Sequence, residues 1–137
     1  MLDYKNILYA IDLDAEKIFS VIGALEFAQR FQSRLHVLYV NDLMAGYRHA
    51  TDREDTVALR IKETVPESLL ENSNIIYASA KGNTAEEILK YALEQQIDLI
   101  IVGHKHRGKV YASMFDSTDV NILDETLLPV LVIPEKQ

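Results

Sequence analysis

Five short apolar runs alternating with four helical stripes predict an α/β fold on a doubly wound, five-stranded parallel sheet with about four helices. The strand-like runs are Asn6–Ile11, Leu35–Val40, Asn74–Ala78, Leu99–Val102 and Val130–Ile133. Several are nearly continuous in Ile, Leu, Val and Tyr, which is how strands covered on both faces read. Between them apolar residues recur at steps of three and four. The order βαβαβαβαβ requires right-handed crossovers and helices on both faces of the sheet. The expected strand order is 3-2-1-4-5, and one domain over residues 1–137 accounts for the whole chain.

The helices are read in the same order. Ile18, Val21, Ile22, Leu25 and Ala28 form the first stripe. Val57, Ile61, Val65 and Leu69 form the second, and Pro66 inside it predicts a kink or a split. Ile88, Tyr91 and Ala92 form the third, with Thr84 and Glu87 spaced as a capping box at its start. Val120, Leu123 and Leu127 form the fourth, closed by Pro129. The stretch 41–56 has little periodicity and reads as a mobile connection.

Composition excludes several function classes. With no cysteine, the chain has no disulfide framework, thiolate metal site or thiol nucleophile. Its start carries Asp3, and its first apolar stretch is broken by Asp12, unlike a secretory signal. No run approaches the roughly 20 apolar residues that span a bilayer. The expected location is therefore the reducing cytoplasm. A net charge of −7 disfavours nucleic acid and anionic membranes as partners. The segment from His104 to Lys109 runs against this trend, with Lys105, Arg107 and Lys109 close together. It suits one small anion.

Ligands of doubly wound sheets sit beyond the carboxyl ends of the strands, where the winding reverses. For order 3-2-1-4-5 that point lies between strands one and four, at loops beginning with Asp12 and Gly103. The segment Gly103–Lys109 fits the G-x-x-x-x-G-K part of a phosphate loop, but Val110 stands where magnesium needs a hydroxyl. A solvated basic turn is the plainer reading. His104 and His106 form an H-x-H pair without a neighbouring third ligand. Asp12, Asp14 and Glu16 suit either magnesium or capping of the next helix. His36 reads as a satisfied or surface-facing strand residue. Ser113, Ser117 and Thr118 are candidates for phosphorylation or for capping. No Ser-His-Asp arrangement has motif support, so no residue is assigned a catalytic role.

A wider pattern runs through the chain. Tyr4–Leu13 is a strand ending in an aspartate, and Leu35–Val40 is a second strand. Gly82-Asn83-Thr84 stands before the third helix, and Ile97–Gly103 and Leu128–Pro134 are the two remaining strand segments. In order and spacing these resemble the universal stress protein family, of the UspA type. The family's nucleotide loop, G-x2-G-x9-G-[S/T], falls here on Gly103, His106, Asp116 and Ser117, keeping the spacing but one glycine of three.

The resemblance implies a Rossmann-like sheet and usually a homodimer. One branch of the family binds ATP or a related adenine nucleotide, and the A-type branch does not. ATP or AMP is therefore the candidate ligand, and no cofactor is certain. In a binding member, Asp12 and Val40 would contact the nucleoside end, and Val102, Gly103 and His106 would lie along the phosphates. Ser117 and Thr118 would offer a hydroxyl and backbone donors, and Ala10, Ile11, Arg107, Gly108 and Asp116 complete the candidate cofactor-binding set.

Asp116 is expected to cap that helix where a phosphate would otherwise sit. At an effective dielectric near 20, like charges about 4 Å apart repel by roughly 4 kcal/mol, about a thousandfold in affinity. The reading favoured is a dimeric stress-response accessory module without strong ATP binding. The alternative is an adenine-nucleotide sensor with at most slow hydrolysis or self-phosphorylation. The last strand, apolar and at a sheet edge, is the expected dimer contact.

Overall fold

The computed structural model describes residues 3–13, 18–41, 54–104 and 127–135. Its elements are β1 (Asn6–Ala10), α1 (Ser20–Arg30), β2 (Arg34–Asn41), α2 (Glu54–Thr64), α3 (Glu67–Glu71), β3 (Asn74–Lys81), α4 (Thr84–Glu94), β4 (Leu99–His104) and β5 (Val130–Pro134). The five strands are parallel, in the order β3-β2-β1-β4-β5. Sheet and order are those the sequence predicts. The predicted mobile stretch 41–56 and the last helix lie almost wholly outside the described residues.

Central strands are apolar throughout because both faces are covered. Ile7, Tyr9, Leu99 and Ile101 pack with α1 and α2, while Leu8, Ala10, Ile100 and Val102 pack with α4. In α1 the buried positions Val21, Ala24, Leu25 and Ala28 make one stripe. Gly23 lets this helix approach β5, since a Cβ there would lie 3.0 Å from Ile133 Cδ1. The second stripe is split as expected. Val57, Ile61 and Val65 are buried, α2 ends at Thr64, and Pro66 becomes the N-cap of α3. Without an N–H, Pro66 cannot continue the first helix, but its carbonyl accepts from Leu69 N (3.0 Å).

One boundary differs from expectation. Thr84 is not the cap of α4 but its first residue, and it is buried. Asn83 takes the cap position, with Oδ1 accepting from Glu86 N at 3.0 Å. The Asn83 amide oxygen reaches the exposed Glu86 N–H, and the Thr84 side chain, one residue later, is buried.

At the amino end of the sheet, α1 and α4 close in the same way. Ser33 N donates to Ala28 O (2.8 Å) and Ile97 N to Ala92 O (3.0 Å). The residues before them, Gln32 and Gln96, are left-handed, at φ 55° and 54°. This is a Schellman closure with glutamine where glycine is usual. His36 is buried in β2 and fully satisfied: Nδ1 lies 2.7 Å from the Tyr91 hydroxyl and Nε2 3.0 Å from Asn6 Oδ1.

Candidate functional site

The winding reverses between β1 and β4, because β1 runs next to β2 on one side and β4 on the other. The ladder pairs Ala10 with Val102. Ile11 N donates to Leu38 O (3.0 Å), bringing the start of the next loop alongside β2, two residues before Val40. Ala10, Ile11, Asp12, Val40, Val102 and Gly103 are thus gathered at the carboxyl ends of three adjacent strands. His106, Arg107, Gly108, Asp116, Ser117 and Thr118 lie outside the described residues, as does the cap proposed for Asp116. Among the described residues there is no cluster of three or more His, Cys, Asp or Glu able to hold a metal. No described helix is long and apolar enough to cross a membrane.

A buried chain of hydroxyls ends on this crevice. The backbone N–H of Ser20 donates to Oε1 of Glu135, and the Ser20 hydroxyl donates to Oε2, both at 2.6 Å. The Tyr9 hydroxyl lies 2.6 Å from Ser20 Oγ. It is the donor in that pair, since the serine proton is committed to the carboxylate. Burial pushes the Tyr9 phenol far above its ordinary range; the Ser20 hydrogen bond opposes the shift, and the charges of Glu135 and Asp12 add to it. Tyr9 therefore stays protonated and donating.

This chain of groups explains Gly103. A Cβ there would lie 2.5 Å from Ser20 Oγ and 2.9 Å from Glu135 Cδ. The glycine is thus required by the protein's own carboxylate, which lies against the backbone where a phosphate loop would begin. The same carboxylate fills the amino end of α1, a natural anion position.

A second feature lies at the end of β2. Asn41 Oδ1 is buried and has no hydrogen-bond partner among the described residues. An unpaired buried acceptor is costly and uncommon.

Sequence reading found the glycine and the acid after their strands but not Tyr9, Ser20, Asn41 or Glu135. One signal was available. A tyrosine inside an otherwise apolar, doubly covered strand needs a partner for its hydroxyl.

Comparison with known proteins agrees with this architecture. A universal stress protein A homolog from Pasteurella multocida (strain Pm70) is 25% identical over 140 residues, 96% of each chain. The solved UspA structure from Lactobacillus plantarum is 23% identical, covers 95% of this chain and 97% of its own, and has a TM-score of 0.63. A universal stress protein solved in complex with cAMP is 13% identical, covers 98% and 99%, and has a TM-score of 0.64. The structural likenesses speak for the fold; the model of the universal stress protein family speaks for descent, matching residues 3–134. By that match, and with the strand order and switch-point crevice in agreement, the chain belongs to the universal stress protein family.

Proposed function

We propose that this chain is a cytoplasmic stress-response accessory protein, a one-domain interaction module that pairs as a homodimer and lacks strong affinity for ATP. The observation that carries the reading is the Glu135 carboxylate against Gly103. A triphosphate entering the crevice would meet a fixed negative charge. Asp116, in the same loop by sequence, adds a second acid. The crevice set is Ala10, Ile11, Asp12 and Val40 for a nucleoside end. Val102, Gly103, His106, Arg107, Gly108, Asp116, Ser117 and Thr118 form the phosphate end. No catalytic residue is assigned.

Pairing through β5 is supported by its place at the sheet edge and by exposed Val132. Strand edges left open invite a second copy. Pro134 has no N–H to donate and limits how far such a ladder runs.

A second reading, an ATP or AMP sensor, draws on the neighbour solved with cAMP and on the spacing kept at Ser117. Native mass spectrometry of the purified protein separates the two. The first reading expects a dimer without nucleotide. A monomer of 15.6 kDa, or a dimer carrying ATP or AMP, overturns it.

A further inference from the structure

We infer that Glu135 sets the specificity of the crevice, so that it takes an uncharged nucleoside in preference to the same nucleoside carrying phosphates. The inference rests on reading the crevice as an adenine-type site, and it adds the ligand class.

The argument begins with what the described side chains offer between the ends of β2 and β5. Asp12 and Glu135 are carboxylates, and Asn41 Oδ1 is an unpartnered acceptor among the described residues. All three accept hydrogen bonds. Asp12 follows β1 and Glu135 follows β5, so the two acids stand on either side of β4 at the carboxyl end of the sheet. Lys81 is exposed at the end of β3, and Arg60 donates to the Leu13 carbonyl at 3.2 Å.

A ligand matched to such a surface brings donors and no negative charge. A nucleoside does so, through its exocyclic amine and ribose hydroxyls. Each added phosphate approaches Gly103, where the Glu135 carboxylate is held by two hydrogen bonds from Ser20 and cannot turn aside without losing them. The basic residues Lys105, Arg107 and Lys109 lie outside the described residues. Any comparison that changes Glu135 alone holds them constant.

The test is calorimetric titration of the full chain with adenosine, AMP and ATP, before and after Glu135→Gln. Glutamine keeps the shape and an acceptor for Ser20 N, and removes the charge. Adenosine is expected to bind the unaltered protein at least about tenfold more tightly than ATP. In the variant, ATP and AMP gain about tenfold or more relative to adenosine. Raising salt should narrow the adenosine-to-ATP ratio in the unaltered protein, a readout that needs no variant.

A ratio that Glu135→Gln and salt both leave unchanged overturns the inference while the adenine reading stands. ATP binding as tightly as adenosine to the unaltered protein also overturns it. If no adenine compound binds either protein at millimolar concentration, the crevice reading itself falls, and this inference falls with it.

Discussion

The two ends of the sheet are built from different chemistry. At the carboxyl end, buried hydroxyls lead outward to a charge, from Tyr9 through Ser20 to Glu135. At the amino end, buried His36 is held by half-buried Tyr91 and Asn6, the Asn6 N–H donates to Asp98 Oδ2 at 2.9 Å, and α1 and α4 finish in backbone turns. Both ring nitrogens of His36 already have partners, so this trio serves stability. A network ending in a carboxylate beside a crevice borders on binding. Substitutions at the amino end should therefore move stability alone, and those at the carboxyl end should move stability and ligand preference together.

The largest effect is expected at Gly103. Alanine there displaces the far end of the Glu135 side chain rather than backbone, because the carboxylate is among its nearest neighbours. The cost is then the loss of two hydrogen bonds to a charged group, about 3 kcal/mol or more in the unfolding free energy from urea titration. Glu135→Ala alone should cost a similar amount for the same reason. In the Gly103→Ala background, Glu135→Ala should cost almost nothing further, since the bonds are already gone. Strict additivity in that double-mutant cycle would mean that Gly103 and Glu135 are not coupled.

The next effect tests the amino end through pH. Burial, helped by the Arg34 charge, lowers the pKa of His36 below its ordinary value, so the folded protein holds it neutral. The unfolded chain takes up a proton near pH 6.5, where the folded chain resists it. The unfolded state therefore binds more protons in that window, and stability falls as pH drops below about 6.5. The tautomer fits. Asn6 Oδ1 accepts from Nε2–H, leaving Nδ1 to accept from the Tyr91 hydroxyl. His36→Gln should flatten the loss between pH 7 and 5. Tyr91→Phe should cost about 1 kcal/mol at pH 7.5 by leaving Nδ1 without a partner. Neither should alter the adenosine-to-ATP ratio. A shift in that ratio would erase the distinction between the ends.

The same contrast shows what was legible in the sequence. Apolar runs disclose strands that are covered on two faces, so β1, β2 and β4 stand out. The edge strand β3 was read as ending at Ala78 but runs to Lys81, where exposed residues alternate with half-buried ones. Its pairing with β2 carries it further, from Tyr39–Ser79 to Asn41–Lys81. Gly103 and Asp12 were legible because a glycine or an acid directly after a buried strand is a local signal. Glu135 was not, because its role arises from Ser20, which is 115 positions away in the chain. No periodicity connects residues so far apart; only the strand order brings them together.

The smallest effect sharpens the comparison most cleanly, because it lies wholly in the backbone. Gln32 and Gln96 hold left-handed conformations that an L side chain adopts at a cost of about 1–2 kcal/mol. Glycine removes that cost but gives the unfolded chain more freedom, so the net gain is smaller. Gln32→Gly and Gln96→Gly should each raise stability by about 0.5 kcal/mol, and their effects should add, since they close different helices. The Ser33–Ala28 and Ile97–Ala92 bonds need only backbone atoms and survive both changes. Urea midpoints measure the gain, and calorimetry with adenosine should show affinity unchanged. If either substitution destabilises the protein, the glutamine side chain makes a contribution that outweighs its backbone strain, and the amino end is no longer explained by turns alone.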